Sequence, residues 1–293
     1  MEVLRTATNP GGQNVLIGIG WDLVWLAVIA SALFVVAHAL FVRLRGRASV
    51  EAAPSRAPAG VPERVPRHSV GARLFHWSMS AAMLVLLVTA FVPVLGLQFD
   101  WVPLHWIAGL VLVATLVYHV IHALGRQDFW SMWMSRQDVR EGIAEMKHAL
   151  RPSAPAPPRP GKYPFDHKLY HHMVVVVTVG VVATGLLMML RIDTPFWDQN
   201  PYLLSDAAWG VTYVVHGLTG VALIGLVTAH VYFAIRPERR WITWSMVRGW
   251  IDREHYLAHH DPERWVVAGT PDPSTPATGA VAGVAAQAPE ENA

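Results

Sequence analysis

The chain has 293 residues, of which 53% are hydrophobic and only 15% are charged, and its formal net charge is +2. It contains 15 His and 13 Trp but no Cys, which excludes disulfides, iron–sulfur ligation, thiolate zinc sites and covalent c-type haem. The basic residues cluster between apolar runs, a pattern that indicates membrane orientation and argues against a nucleic-acid partner.

Five apolar runs come close to the roughly 20 residues that a helix needs to cross the hydrocarbon core. In chain order they cover approximately residues 16–42, 74–95, 104–124, 170–190 and 208–235. The first run is too long, and its N-terminal flank too poor in positive charge, for a cleavable signal peptide. The sequence therefore predicts an all-α integral membrane protein with five transmembrane helices.

The segments between these runs predict the topology and the remaining divisions. Arg and Lys are concentrated in 43–73, 125–169 and 236–253 and are scarce in 96–103 and 191–207. The positive-inside rule then gives a periplasmic N-terminus and a cytoplasmic C-terminus in a bacterial inner membrane. The predicted divisions are an N-terminal transmembrane helix (1–48), a cytoplasmic linker (49–73), a four-helix core (74–236) with a cytoplasmic interfacial helix (128–149), a cytoplasmic interfacial segment that looks helical (237–268) and a disordered tail (269–293).

The third and fifth spans carry the same pattern. HWIAGLVLVATLVYHV (105–120) aligns with HGLTGVALIGLVTAHV (216–231), and both read His, three residues, Gly, nine residues, His. RLFHW (73–77) and KLYHH (168–172) likewise begin the preceding spans. The core therefore consists of two related helix pairs, and the first span lies outside the repeat.

The spacing of the two histidines suggests what the repeat does. Fourteen helical residues make nearly four turns and rise about 21 Å, so both imidazoles share one face at opposite membrane depths. Neutral imidazole is a common ligand of haem iron, and Gly109 and Gly220 leave room for a flat macrocycle. A hydrogen-bonded interior His and glycines that serve close helix packing are the plainer alternatives. The duplication at matched depths favours a four-helix bundle that holds two b haems.

The pairing of ligands is clear at only one side. His105 and His216 are the intramembrane candidates at the outer side, and the repeat relates them to each other. At the cytoplasmic side the candidates are His76, His119, His122, His171, His172 and His230. Symmetry alone favours His119 with His230 and relates His76 to His171.

Several motifs resemble the cytochrome b (gamma) subunit of membrane-bound formate dehydrogenases. They are RLFHW and LHWIAG at the starts of two spans, GKY and KLY before the next, and the His–x13–His span followed by VYFAIRP. The resemblance covers about residues 66–250 and extends to the dihaem cytochrome b subunits of nickel–iron hydrogenases and thiosulfate reductases. It implies the haem ligand pairs His105–His216 outside and His76–His230 inside, with His119 or His171 as alternatives to His76.

The resemblance also implies a quinone pocket in GKYPFDHK (161–168), which would take menaquinone or ubiquinone. Pro164 and His167 stand where the family usually has Asn and Gln, whereas Lys162 and Lys168 are kept. We expect Lys162, His167 and Lys168 to contact the quinone. Polar residues at a membrane boundary also snorkel without binding a ligand, which is the alternative.

These observations predict a membrane-anchor subunit without a catalytic site of its own. It would pass electrons between a periplasmic iron–sulfur subunit, with its molybdenum, tungsten or nickel catalytic subunit, and the quinone pool. The same type of subunit in a hydrogenase or sulfur-compound reductase would instead oxidise quinol. A proton-coupled transporter with an intramembrane His relay and an anchor without redox function are the alternatives from other classes.

Overall fold

Helices dominate the structure, a computed structural model that describes residues 2–45, 60–126, 129–151 and 153–267. In chain order its elements are β1 (Leu4–Thr8), β2 (Asn14–Ile19), α1 (Trp21–Arg45), β3 (Arg64–Pro66), α2 (Val70–Phe91), α3 (Trp101–Arg126), α4 (Arg136–Leu150), α5 (Phe165–Met189), α6 (Asp206–Ile235), α7 (Arg240–Arg248), β4 (Trp250–Asp252) and α8 (Arg253–His259). Residues 49–59 of the predicted linker and the whole predicted disordered tail lie outside the described residues.

Five helices are long and apolar enough to cross a membrane by length and composition, namely α1, α2, α3, α5 and α6. The predicted class, an all-α integral membrane protein with five spans, is confirmed. The four core spans all begin before their predicted starts, and in two of them, α2 and α6, a serine caps the helix. Ser69 and Ser205 accept hydrogen bonds from the backbone N–H groups of Ala72 and Ala208, so a polar first turn precedes each apolar run.

The four core spans form a bundle in which α2 packs against α3 and α5 packs against α6. A buried cluster joins α2, α3 and α6 at its centre and comprises Ala82, Met83, Leu112 and Leu223. The first span, α1, packs against α6 on the outside of this bundle. We call the end that carries β1 and β2 the hairpin end, and the end that carries residues 60–69 and 236–267 the C-terminal end.

A β-hairpin precedes the first span, and the prediction of an uninterrupted apolar helix from residue 16 was wrong. β1 and β2 pair antiparallel, with Leu4 opposite Ile19, and α1 begins only at Trp21. An apolar run does not by itself distinguish a strand from a buried helix, and Gly18 and Gly20 interrupt this one. The hairpin lies against α6, where Asn9 Nδ2 donates a hydrogen bond of 2.9 Å to Asp206 Oδ2.

The C-terminal end carries more than helices. The predicted helical segment 237–268 is instead α7, β4 and α8, because Gly249, with φ +90°, ends α7 and β4 then pairs with β3. Residues 60–68 and 237–267, which we call the C-terminal layer, share a buried core that includes Val65, Tyr256 and Trp265. The interfacial helix α4 is shorter than the predicted 128–149, since a capping box at Ser135 starts it at residue 136.

A buried Arg–His contact holds the C-terminal layer together. His260 is 3% exposed, donates from Nδ1 to the Gly161 carbonyl at 2.8 Å, and accepts at Nε2 from Arg67 Nη1 at 3.1 Å. These two bonds require a neutral ring. Burial, together with the charge of Arg67, lowers the pKa of His260 to about 3.

We predict that acid loosens the C-terminal layer. The folded pKa of His260 lies below its ordinary value of about 6.5, so its contribution to stability is full above that pH and is lost as pH falls toward 3. Limited proteolysis within 249–267 should therefore increase from pH 7 to pH 4.5. In His260→Gln, whose amide keeps both hydrogen bonds without titrating, the increase should be smaller. Equal cleavage at the two pH values in the unmodified protein would contradict this.

Candidate cofactor site

Two histidines face each other near the hairpin end. His105 on α3 and His216 on α6 have ring centroids 6.3 Å apart. Two ring nitrogens on one metal ion lie about 4 Å apart, because each metal–nitrogen bond is about 2 Å. The centre of each ring lies roughly 1 Å beyond its nitrogen, so two imidazoles that bind one metal ion have ring centroids about 6 Å apart. The observed separation of 6.3 Å is close to this distance.

A threonine orients each of these rings. Thr89 Oγ1 lies 2.7 Å from His105 Nδ1, and Thr184 Oγ1 lies 3.0 Å from His216 Nδ1. Each hydroxyl also donates its single proton to a carbonyl of its own helix, that of Val85 or Gly180. Each Nδ1 must therefore donate to the hydroxyl oxygen, which leaves Nε2 with its lone pair free to bind a metal.

The two threonines were missed at the sequence level, although the repeat contains them. Each lies thirteen residues after a repeat-related histidine, Thr89 after His76 and Thr184 after His171. Both side chains are buried, at 2% and 9% exposure. The repeat therefore duplicates both the histidine and the residue that orients it.

A cavity of about 550 Å³ adjoins this pair, and Gly109 and Gly220 line it. A Cβ atom added to Gly109 would meet nothing within 4 Å, and one added to Gly220 would meet only Phe91 Cζ at 3.8 Å. These glycines therefore open a space beside the helices, so close helix packing does not account for them. The volume lies within the range of cofactor pockets, and the lining is mostly apolar.

A second pair lies at the C-terminal end of the bundle. His76 on α2 and His230 on α6 have ring centroids 6.1 Å apart, nearly the separation of the first pair. His230 stacks on the Tyr170 ring at 5.2 Å, which fixes its plane. His76 Nδ1 is buried without a hydrogen-bond partner, so this pair lacks the threonine support of the first.

The alternative ligands lie elsewhere at this end. His119 stacks face to face on Phe75 at 3.9 Å, and His171 contacts His172 at 5.7 Å. The ring that faces His230 is therefore that of His76 and not that of His119. Repeat symmetry and the family resemblance gave different pairings here, and the ring that lies 6.1 Å from His230 is that of His76.

The predicted quinone residues separate into two groups. Lys168 Nζ bonds to the Asp138 carboxylate at 2.9 and 3.0 Å, which ties α5 to α4. Burial raises the pKa of Asp138, but hydrogen bonds from Ser135 and from Lys168 outweigh it and bring the pKa below its ordinary value. Lys168 is therefore held in a largely buried ion pair, in which its own side chain is 12% exposed and that of Asp138 is 6% exposed. The Lys168 ammonium group is therefore directed toward α4.

Lys162 and His167 lie instead around a residue that sequence reasoning missed, His68. Burial is the main cause that lowers the pKa of His68 to about 3, and the nearby charges of Arg67 and Lys162 contribute to this shift, with smaller effects of His76 and His167. His68, Lys162 and His167 therefore form a polar group next to the second histidine pair. The only sequence signal was its position just before Ser69, the cap of α2.

Within the described ranges, no group of three or more His, Cys, Asp or Glu side chains could hold a metal ion. Each histidine pair can offer two ring nitrogens, so it suits a metal whose other ligands belong to a cofactor. Haem iron meets that requirement.

Two comparisons with known proteins bear on this geometry. A family model described as prokaryotic cytochrome b561 matches residues 67–249. The matched range contains both histidine pairs and both threonines, but not the hairpin or α1. No curated protein matches the chain.

We predict that a bulky side chain in the cavity displaces the cofactor at the hairpin end. Gly109→Leu places its side chain in the open space beside His105 and should reduce bound haem to about half of the content of the unmodified protein. Gly125→Leu is the matched control, because Gly125 lies on the same helix with nothing within 4 Å of an added Cβ but does not line the cavity. Haem per chain is measured on purified protein. Equal haem content in the two variants would show that the cavity is not the binding site.

Proposed function

The chain belongs to the prokaryotic cytochrome b561 family, and we propose that it is the membrane cytochrome b subunit of a respiratory oxidoreductase. Membership of the family implies a multi-pass membrane protein that binds haem b and takes part in electron transfer. The finer proposal is a dihaem subunit, similar to the gamma subunit of formate dehydrogenase, that links a periplasmic partner to the quinone pool.

The observation that carries the proposal is the presence of two histidine pairs at opposite ends of one bundle. Their ring separations are 6.3 and 6.1 Å, and all four residues are those that the resemblance implies. A haem b bound at each pair would supply one-electron redox chemistry. His105 and His216 would hold one group and His76 and His230 the other, which would span most of the membrane thickness.

The other residues of the site prepare these histidines for ligation. The Thr89 and Thr184 hydroxyls hold the Nδ1 protons, so that Nε2 faces the gap between α3 and α6. Gly109 and Gly220 leave that gap open. The walls of the cavity are mostly apolar, which strengthens the electrostatic effect of a charge near it.

The distribution of charge supports an orientation. The segments at the C-terminal end are rich in Arg and Lys and those at the hairpin end are not, so we place the hairpin end in the periplasm. An iron–sulfur subunit, with a molybdenum, tungsten or nickel catalytic subunit, would then dock at the hairpin end. Electrons would leave the chain to quinone at the cytoplasmic side.

Three polar side chains support a quinone pocket beside His76. A quinone that is being reduced needs hydrogen-bond donors at its carbonyls and a supply of protons. Lys162, His167 and His68 can donate, and Asp166, in its 2.8 Å ion pair with Arg239, lies beside His167 at the surface. Lys168 leaves the proposed set, because Asp138 holds it.

We predict two non-covalent b haems per chain. Acid–acetone should extract all of the haem, and the dithionite-reduced protein should show a b-type absorbance spectrum. A proton-coupled transporter or a bare anchor would give no such spectrum. His216→Ala should halve the haem content and spare the pair at the other end. His76→Ala should likewise remove one haem, whereas His119→Ala should keep both. If His119→Ala instead loses haem and His76→Ala keeps both haems, the pairing of His76 with His230 is wrong.

We predict that His167→Ala slows electron transfer to quinone without disturbing the haems. Both haems should remain spectroscopically intact and should still be reduced, but stopped-flow reoxidation by a quinone analogue should be roughly a hundredfold slower, the lower end of the effect of losing a proton donor. His172→Ala is the matched control, because its ring points toward Trp133 of the segment before α4. If only His172→Ala slows reoxidation, the pocket lies on the α4 side of the bundle.

A further inference from the structure

The hairpin and α1 form a wall of the cavity, although the family model does not include them. Arg5, Ile19 and Val24 line the same space as His105 and His216. Ile19 and Val24 are 7% and 6% exposed, so they are packed as core residues. The core shared with the family is therefore closed, in this chain, by a segment that lies outside the matched range.

Glycines of α6 seat the hairpin closely. A Cβ atom added to Gly210 would lie 2.8 Å from Leu16 Cβ, and one added to Gly217 would lie 2.8 Å from Ile19 Cγ1. Gly217 directly follows His216 in the chain, so β2 crosses α6 at the level of the ligand. The bond from Asn9 to Asp206 holds the turn of the hairpin to the start of α6. The hairpin is therefore fixed over the cavity at several points.

Arg5 brings a positive charge to this apolar space. Its guanidinium lies over the Trp21 ring at 5.2 Å, and its side chain lines the cavity. No carboxylate in the described part of the chain lies within ion-pair distance of Arg5. The neighbouring cation at this end, Arg191, is held by the Tyr213 hydroxyl and the Trp209 ring. A cation with no acidic partner at the edge of an apolar cavity favours an anionic group of the ligand.

We propose that the N-terminal hairpin is a built-in cap of the cofactor cavity and that Arg5 binds a propionate carboxylate of the haem held by His105 and His216. This inference rests on the proposed function. Haem combines an apolar macrocycle with two carboxylates at one edge, which matches a cavity with apolar walls and one cation. The guanidinium fork fits a carboxylate in a bidentate manner, and an ammonium group does so less well.

The proposal has a consequence for the redox equilibrium at this end. Oxidised haem carries one more positive charge than reduced haem, so a nearby cation favours the reduced form. Removal of the Arg5 charge should therefore lower the midpoint potential at the His105–His216 pair. The His76–His230 pair, at the opposite end of the bundle, should not change, because a charge acts weakly over such a distance.

The test is a redox titration, followed by absorbance, of the purified full-length protein and its variants. In Arg5→Gln, the ratio of reduced to oxidised outer haem at a fixed potential should fall about tenfold, or 59 mV for a one-electron couple. Arg5→Lys keeps the charge and should recover most of the shift. Arg64→Gln is the matched control, because Arg64, like Arg5, lies in a short strand and over a Trp ring, that of Trp250 at 4.7 Å, at the opposite end.

The outcomes separate this inference from the proposed function. If the purified protein contains no haem, or no haem at His105 and His216, the proposed function itself is contradicted. Two normal haems whose potentials are the same in Arg5→Gln and the unmodified protein overturn the role of Arg5 alone. The role of Arg5 is also overturned if Arg5→Gln shifts the midpoint potentials of both haems equally, or if Arg64→Gln shifts that of the outer haem by the same amount. Each of these results would show an effect of overall charge or fold.

Discussion

One hydrogen bond determines what the bundle can bind. In each half of the repeat, a threonine hydroxyl gives its proton to a helix carbonyl and so can only accept from the histidine beside it. This fixes the imidazole tautomer and directs Nε2 inward. Such outer contacts commonly change metal affinity ten- to hundredfold when they are lost. The side-by-side packing of α2 with α3 and of α5 with α6 places each threonine against its ring, so the bundle geometry and the ligand chemistry depend on the same contact.

The two ends of the bundle support their histidines differently. At the hairpin end both rings are hydrogen-bonded at Nδ1, and glycines keep the space between them open. At the C-terminal end His230 relies on the face of Tyr170, and His76 Nδ1 has no partner in the described structure. The first site is therefore the more rigid of the two. The second has polar neighbours, because His68 lies within electrostatic range of His76, Lys162 and His167.

Much of this arrangement could be predicted from sequence, because the membrane imposes simple rules. The five spans follow from run length, and the pair His105–His216 follows from the repeat. Other features depend on three-dimensional packing. An apolar run has no period that distinguishes β2 from the start of α1, and Lys168 gave no sign that Asp138, thirty residues earlier, would bind it. Repeat symmetry favoured His119 as the partner of His230, but the structure places the His76 ring 6.1 Å from His230 and stacks His119 on Phe75.

The seat of the hairpin on α6 has a consequence for biogenesis. The hairpin precedes all five candidate spans in the chain, whereas α6 is the last of the five. His216 and the glycines that receive β2 therefore reach the membrane only after the other four helices have been made. Until then the cavity lacks His216, and the hairpin lacks the face of α6 against which β2 packs. In a translation product that stops before residue 206, the hairpin would have no α6 to pack against. The contact between β2 and α6 can therefore form only after all five spans have been made.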